Sequence, residues 1–184
     1  MPVLPIPGSS YSKINETEGA NTTVVSKAIL EKIDSSDAIY SSDIQKVSTY
    51  MSQSLSGFED SLQNLKDDAK TEETHKVSQN YLEITSAILD NSNIDSWSDM
   101  NEVTQSESAS NILSSLEESA FLLAETIEVT SAEEQMTVTL EESNVVMSIM
   151  VQDSSHGNPV DASFPTKHTI VVKVDQHRGS HYHS

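Results

Sequence analysis

The sequence predicts a mainly α protein: an antiparallel helical bundle followed by a short, incomplete antiparallel β segment, an α+β arrangement. Three observations lead there. Apolar residues recur at steps of three and four from Thr22 to about residue 130. After Ser131 the period falls to two. The links between periodic segments are brief and polar, as neighbouring antiparallel helices require. The chain accordingly divides into a flexible lead (1–22), a helical bundle (23–130), strands of an incomplete sheet (131–174) and a polar, histidine-containing tail (175–184).

The lead, with its prolines, glycines and polar residues, has no apolar period. It contains two Asn-x-Ser/Thr triplets, at Asn15 and Asn21, which are candidate glycosylation acceptors. The first helix follows, with Val25, Ala28, Ile29 and Ile33 as its apolar stripe, and the polar link from Asp34 to Asp37 ends it. A second, longer helix carries Ile44, Val47, Met51, Leu55, Phe58, Leu62 and Leu65 on one face, with Ser41 or Ser42 as its expected cap. A third places Val77, Tyr81, Ile84 and Ile88 together and stops at the cluster Asp90–Asn93.

The last helix carries the strongest signal. Asp99 with Glu102, and Thr104 with Glu107, both have capping-box spacing. Ala109, Ile112, Leu113, Leu116, Ala120, Leu123 and Ile127 form the expected buried face, while Phe121 and Leu122 carry the apolar surface almost all the way round. A turn that is apolar on every side needs cover on every side, so this helix is expected at the centre. Beyond it, Met136, Val138 and Leu140 alternate with threonines, and Glu141–Asn144 is the expected hairpin turn. Val145, Met147, Ile149 and Val151 then take every second place. Ser154–Pro159 reads as another turn and Thr169–Val174 as a third strand. So few strands leave an apolar face without a second sheet, so this region is expected to be structurally incomplete and quick to exchange amide hydrogens.

Composition removes several classes of function. In 184 residues there are 29 acidic and 10 basic side chains, for a net charge of −19. The basic clusters needed to neutralise phosphates are missing, so nucleic acid is not an expected partner. With no cysteine there are no disulfides, thiolate metal sites or cysteine nucleophiles. The start, Met1–Gly8, lacks the charge and apolar length of a signal peptide, and no apolar run approaches a membrane span. No catalytic motif is found: the paired acids read as solvated surface, and no cofactor is implied. His177, His181 and His183 are close in sequence but lie in a polar tail without supporting residues, so no metal is assigned.

Trp97, the sole tryptophan, stands at a helix–helix corner, flanked by Ile94 and Met100. A large ring there is expected to fold over the bundle and fix the angle at which the last helix enters. With Met100, Leu113, Leu116, Phe121 and Leu123, it forms the structural set on which the bundle is expected to depend.

The same residues carry a resemblance. Ser96-Trp-Ser-Asp-Met-Asn101, followed by Ala109-Ser-Asn-Ile-Leu-Ser-Ser-Leu-Glu-Glu-Ser-Ala-Phe-Leu-Leu-Ala124, closely resembles the latrophilin-like adhesion G-protein-coupled receptors. The matching region of that family is the helical subdomain, subdomain A, of the extracellular GAIN domain. Ser42-Asp-Ile44 and Tyr81-Leu-Glu-Ile84 are similar to the same subdomain. Asn144–Met150 and Ala162–Pro165 look like the opening strands of the β-sandwich, subdomain B, that follows it.

The resemblance implies a non-catalytic scaffold and adhesion segment on the extracellular side of the plasma membrane. Its implied partners are the rest of the receptor, with the missing strands and membrane region, and extracellular adhesion protein ligands. The family's cysteine-containing self-cleavage motif, ending His-Leu-Ser/Thr, has no counterpart here, so no catalytic residue carries over. The alternative reading is an unrelated soluble, acidic helical-bundle interaction protein.

Overall fold

A computed structural model describes residues 21–127, 135–153 and 169–176, with residues 135, 152–153 and 169–176 described as backbone only. Among the described residues, five helices precede three strands: α1 (Thr22–Asp34), α2 (Ser41–Leu62), α3 (Asp67–Ile88), α4 (Ile94–Ser98), α5 (Glu102–Thr126), β1 (Gln135–Glu141), β2 (Val146–Asp153) and β3 (Thr169–Gln176). A single 3-10 turn, Asn91–Asn93, joins α3 to α4. The mainly α architecture with a small β part agrees with the sequence expectation.

Side-chain pairs give the directions of the helices. Thr23 donates to Glu73 and Asn80 donates to Ser26, so α1 and α3 run the same way. Thr71 donates to the Thr126 carbonyl and Ser78 to the Ser119 carbonyl, so α5 runs back along α3. α5 also packs on α2 and meets β2 and β3. It thus contacts both long helices and the sheet, and Leu122, Leu123, Ala124 and Ile127 are buried, but the cover expected on every side of its C-terminal turn is incomplete, because Phe121 stays exposed.

The expected stripes largely form the core. Val25, Ile29 and Ile33 of α1 are buried, as are Ile44 to Leu62 of the α2 stripe and all four apolar positions of α3. Several expectations need correction. Ala28 is exposed, and Ser26 takes the inward position. Leu65 lies past the end of α2 and is partly exposed. Leu113 and Phe121 are 52% and 48% exposed, because the side of α5 that carries them faces away from α2, α3 and the sheet.

The caps also differ. Tyr40 is the N-cap residue of α2, and the Asp43 carboxylate accepts its backbone N–H at 3.1 Å, so Ser41 and Ser42 are already helical. At α5, Asn101 is the cap, its side chain accepting from Thr104 N at 3.0 Å. Asp99 ends α4 in helical geometry and so cannot also start α5.

β1 and β2 form the expected antiparallel hairpin, from Gln135 opposite Gln152 to Glu141 opposite Val146. β3 joins the other edge of β2 in parallel, Val146 opposite Thr169 and Asp153 opposite Gln176. A parallel neighbour requires a crossover of a dozen or more residues, which the span 154–168 supplies and a tight turn would not. The expected turn at Ser154–Pro159 falls in that span, outside the described residues.

β2 also overturns the expectation of an uncovered apolar face. Val145, Met147, Ile149 and Val151 belong to the same buried cluster as the helices. The physical reason is the doubly apolar C-terminal half of α5, which packs on α2, on α3 and on the sheet. Ser148 and Met150, on the opposite face of β2, are buried too.

Candidate functional site

Two polar constructions hold the parts together, and neither has the form of a catalytic centre. The first is the corner around Trp97, which lies on α4. The last carbonyls of a helix lack the amide of a further helical turn, so side chains supply or add donors; at the end of α3 the Ala87 carbonyl accepts from Asp90 N at 3.3 Å as well. Asn93 Nδ2 donates to the Ala87 carbonyl at 2.8 Å, and Trp97 Nε1 donates to the Ile88 carbonyl at 3.1 Å. The indole ring is partly buried against the core. From the other side, Gln105 Nε2 of α5 donates to the Trp97 carbonyl at 2.7 Å, and Ser96 Oγ donates to the Ile39 carbonyl at 2.6 Å. The corner thus ties the end of α3 and the α1–α2 link to the start of α5. Met100 is buried beside it, whereas Ile94, expected to complete the plug, is 64% exposed.

Asp90 begins this corner. Its carboxylate accepts from Ser92 Oγ at 2.6 Å and from Ser92 N at 2.9 Å. The Ser92 hydroxyl, then the Ser92 amide, hold its pKa below the usual carboxylate value.

The second construction is a latch between the β1–β2 hairpin and α3. At the hairpin tip, Asn144 N donates to Ser86 Oγ at 3.1 Å and Asn144 Nδ2 donates to the Ser86 carbonyl at 2.9 Å. Gln79 Nε2 donates to Glu142 Oε1 at 2.9 Å. Ser86 is buried in α3, so these bonds fix where the hairpin sits along the helix. Sequence reasoning identified Glu141–Asn144 only as a turn. No local pattern pairs an asparagine with a serine fifty-eight positions earlier.

Between corner and latch lies a cleft of about 580 Å³, lined by Asp34, Asp37, Glu83, Asp90 and Glu142 among others. Among the described residues, no three His, Cys, Asp or Glu side chains are grouped to hold a metal ion. His75 is exposed on α3, and His156, His168, His177, His181 and His183 lie outside the described residues. Of the structural set, Met100, Leu116 and Leu123 are buried, Trp97 is partly buried, and Leu113 and Phe121 are on the outside. Of the two acceptor asparagines, Asn15 lies outside the described residues. Asn21, expected in the flexible lead, is the exposed N-cap of α1.

Taken together, these features define a helical subdomain that clasps the strands of a following sheet. The family described as AGRL2-4 GAIN subdomain A matches residues 9–124. This chain belongs to that family, the GAIN helical subdomain of latrophilin-like adhesion G-protein-coupled receptors. The reading as an unrelated helical-bundle protein is thereby set aside. A comparison with curated proteins returned no match. The GAIN domain is an extracellular receptor domain rather than an enzyme, and it is part of a larger receptor. No described helix is long and apolar enough to cross a membrane.

Proposed function

We propose that this chain is a non-catalytic extracellular scaffold of a latrophilin-like adhesion receptor. Its helical bundle holds the first strands of the β-sandwich in position and presents an acidic outer surface to protein ligands. The observation that carries this reading is the shared core: the inward side chains of β2 pack with those of α5, while Asn144 and Glu142 bond to α3. A net charge of −19 favours partners that approach with basic surfaces, through faster encounter more than through tighter binding.

No residue here supplies the family's self-cleavage motif, so the scaffold takes no chemical step of its own. Corner, latch and core serve to keep the sheet in one orientation on the bundle. An antibody against this segment should label intact cells that express the parent receptor. Ile149→Asp, which places a charge in the shared core, should abolish that surface labelling, while reversing the exposed charges of Glu59 and Asp60 should leave it unchanged. Labelling only after permeabilisation would contradict the extracellular role.

A further inference from the structure

Asn21 heads the triplet Asn21-Thr22-Thr23, and the structure gives each member a definite state. Asn21 Oδ1 accepts from Thr23 N at 2.8 Å and so caps α1. Asn21 is exposed. Thr22 is buried, its hydroxyl donating to the Ser54 carbonyl of α2 at 3.3 Å. The Thr23 hydroxyl donates to Glu73 Oε2 of α3 at 2.7 Å. Thr22 and Thr23 are already helical.

Transfer of an N-linked oligosaccharide forms a bond between asparagine Nδ2 and the first sugar carbon. The bond from that carbon to the phosphate oxygen of a lipid-linked pyrophosphoryl oligosaccharide breaks, the lipid pyrophosphate departs, and Nδ2 gives up one proton. The transferase must hold the triplet in a non-helical conformation and bind the hydroxyl of its third residue. In the folded chain that hydroxyl belongs to Glu73 and the middle residue is under α2, so the triplet cannot be presented. The product, in contrast, fits the fold. Glycosylation consumes one Nδ2 hydrogen and leaves Oδ1 an acceptor, so the cap survives and the sugar leaves from an exposed atom.

We propose that Asn21 is a glycan-bearing position whose acceptor triplet is open only before α1 docks on α2 and α3, after which the bundle closes the site and retains the attached glycan. This rests on the extracellular reading in one respect: the chain must enter the compartment where such transfer occurs. Supplying a signal peptide removes that dependence. An empty site then counts against this proposal alone, whereas surface labelling of the parent receptor tests the extracellular reading.

The full chain carrying Asn15→Gln, secreted from animal cells, should be occupied at Asn21 by peptide mapping, and Asn21→Asp should remove the glycan. Unglycosylated full chain, refolded from bacteria, should be offered to purified oligosaccharyltransferase with the lipid-linked donor. The folded chain should react at least ~10-fold more slowly than Ile29→Asp, because only the undocked fraction is a substrate and Ile29 is the buried centre of α1. The secreted glycoform should unfold at the same denaturant midpoint as Asn21→Asp, which keeps the capping oxygen. An unoccupied Asn21 in the secreted chain, equal rates for the folded chain and Ile29→Asp, or a clearly lower midpoint for the glycoform would each overturn the proposal.

Discussion

Replacing Trp97 separates two contributions that the corner combines. The ring is partly buried against the core, and its Nε1 donates to the carbonyl of Ile88, a fully buried residue at the end of α3. Trp97→Phe keeps most of the apolar contact and deletes the donor. A hydrogen bond of this kind contributes about 1 kcal/mol net, rising toward 2 if the acceptor is left dry and unpaired. Trp97→Ala also removes the ring. Deleting a fully buried large aromatic costs ~3–5 kcal/mol, and a partly buried one less, so the ring itself accounts for about 2 kcal/mol. The expected losses are therefore about 1 kcal/mol for Phe and about 3 kcal/mol for Ala. Urea denaturation followed by far-ultraviolet circular dichroism reads both without relying on the indole. At ~2–4 °C per kcal/mol for a chain of this size, the melting points should fall by about 3 °C and 9 °C. If Phe matches the wild type and Ala loses less than about 1 kcal/mol, the corner does not hold the bundle and the reading of Trp97 fails.

Four further outcomes follow from the same packing. Leu116→Ala should cost about 2–5 kcal/mol, whereas Leu113→Gln and Phe121→Gln should stay within about 0.5 kcal/mol of wild type in the same denaturation assay. Asn144→Ala should cost about 1 kcal/mol and raise amide exchange in the β1–β2 hairpin more than in α2. Burial raises the pKa of Tyr81, with the Ser54 hydroxyl partly opposing it, and burial likewise raises that of Tyr50. The unfolded chain therefore ionises first, so stability should be full below about pH 10 and fall as pH rises above it, more steeply than in Tyr81→Phe. The purified chain should remain a single band through prolonged incubation; two discrete fragments that form despite protease inhibitors would show a self-cleaving activity.

Much of this fold can be read in the sequence because helix packing is a matter of period. The apolar stripes of α2 and α3 are buried as their spacing predicts, while the buried polar positions between them, Ser48 on α2 and Thr74, Ser78, Thr85 and Ser86 on α3, carry no such signal. The stripe of α5 is less informative. Leu113 and Phe121 extend it beyond the width that its neighbours cover, and a sequence does not state how wide a neighbour is. The cap of α5 is not legible from spacing, because Asp99 and Thr104 both have capping-box spacing, while the end of α4 at Asp99 leaves Asn101 to cap the helix. The parallel placement of β3 and the Asn144–Ser86 latch depend on contacts between distant segments, on which local pattern is silent. The corner at Trp97 could be recognised because a single large ring in a polar link needs a reason to be there.

The central claim is that bundle and sheet share one core, and amide exchange compares them directly. Hydrogen–deuterium exchange of the full chain, with its monomeric state checked by light scattering, should give residues 146–151 protection similar to that of residues 112–123 of α5. Wild-type protection in α5 beside complete exchange of 146–151 at the earliest times would contradict the account, because β2 would then not be packed on the bundle.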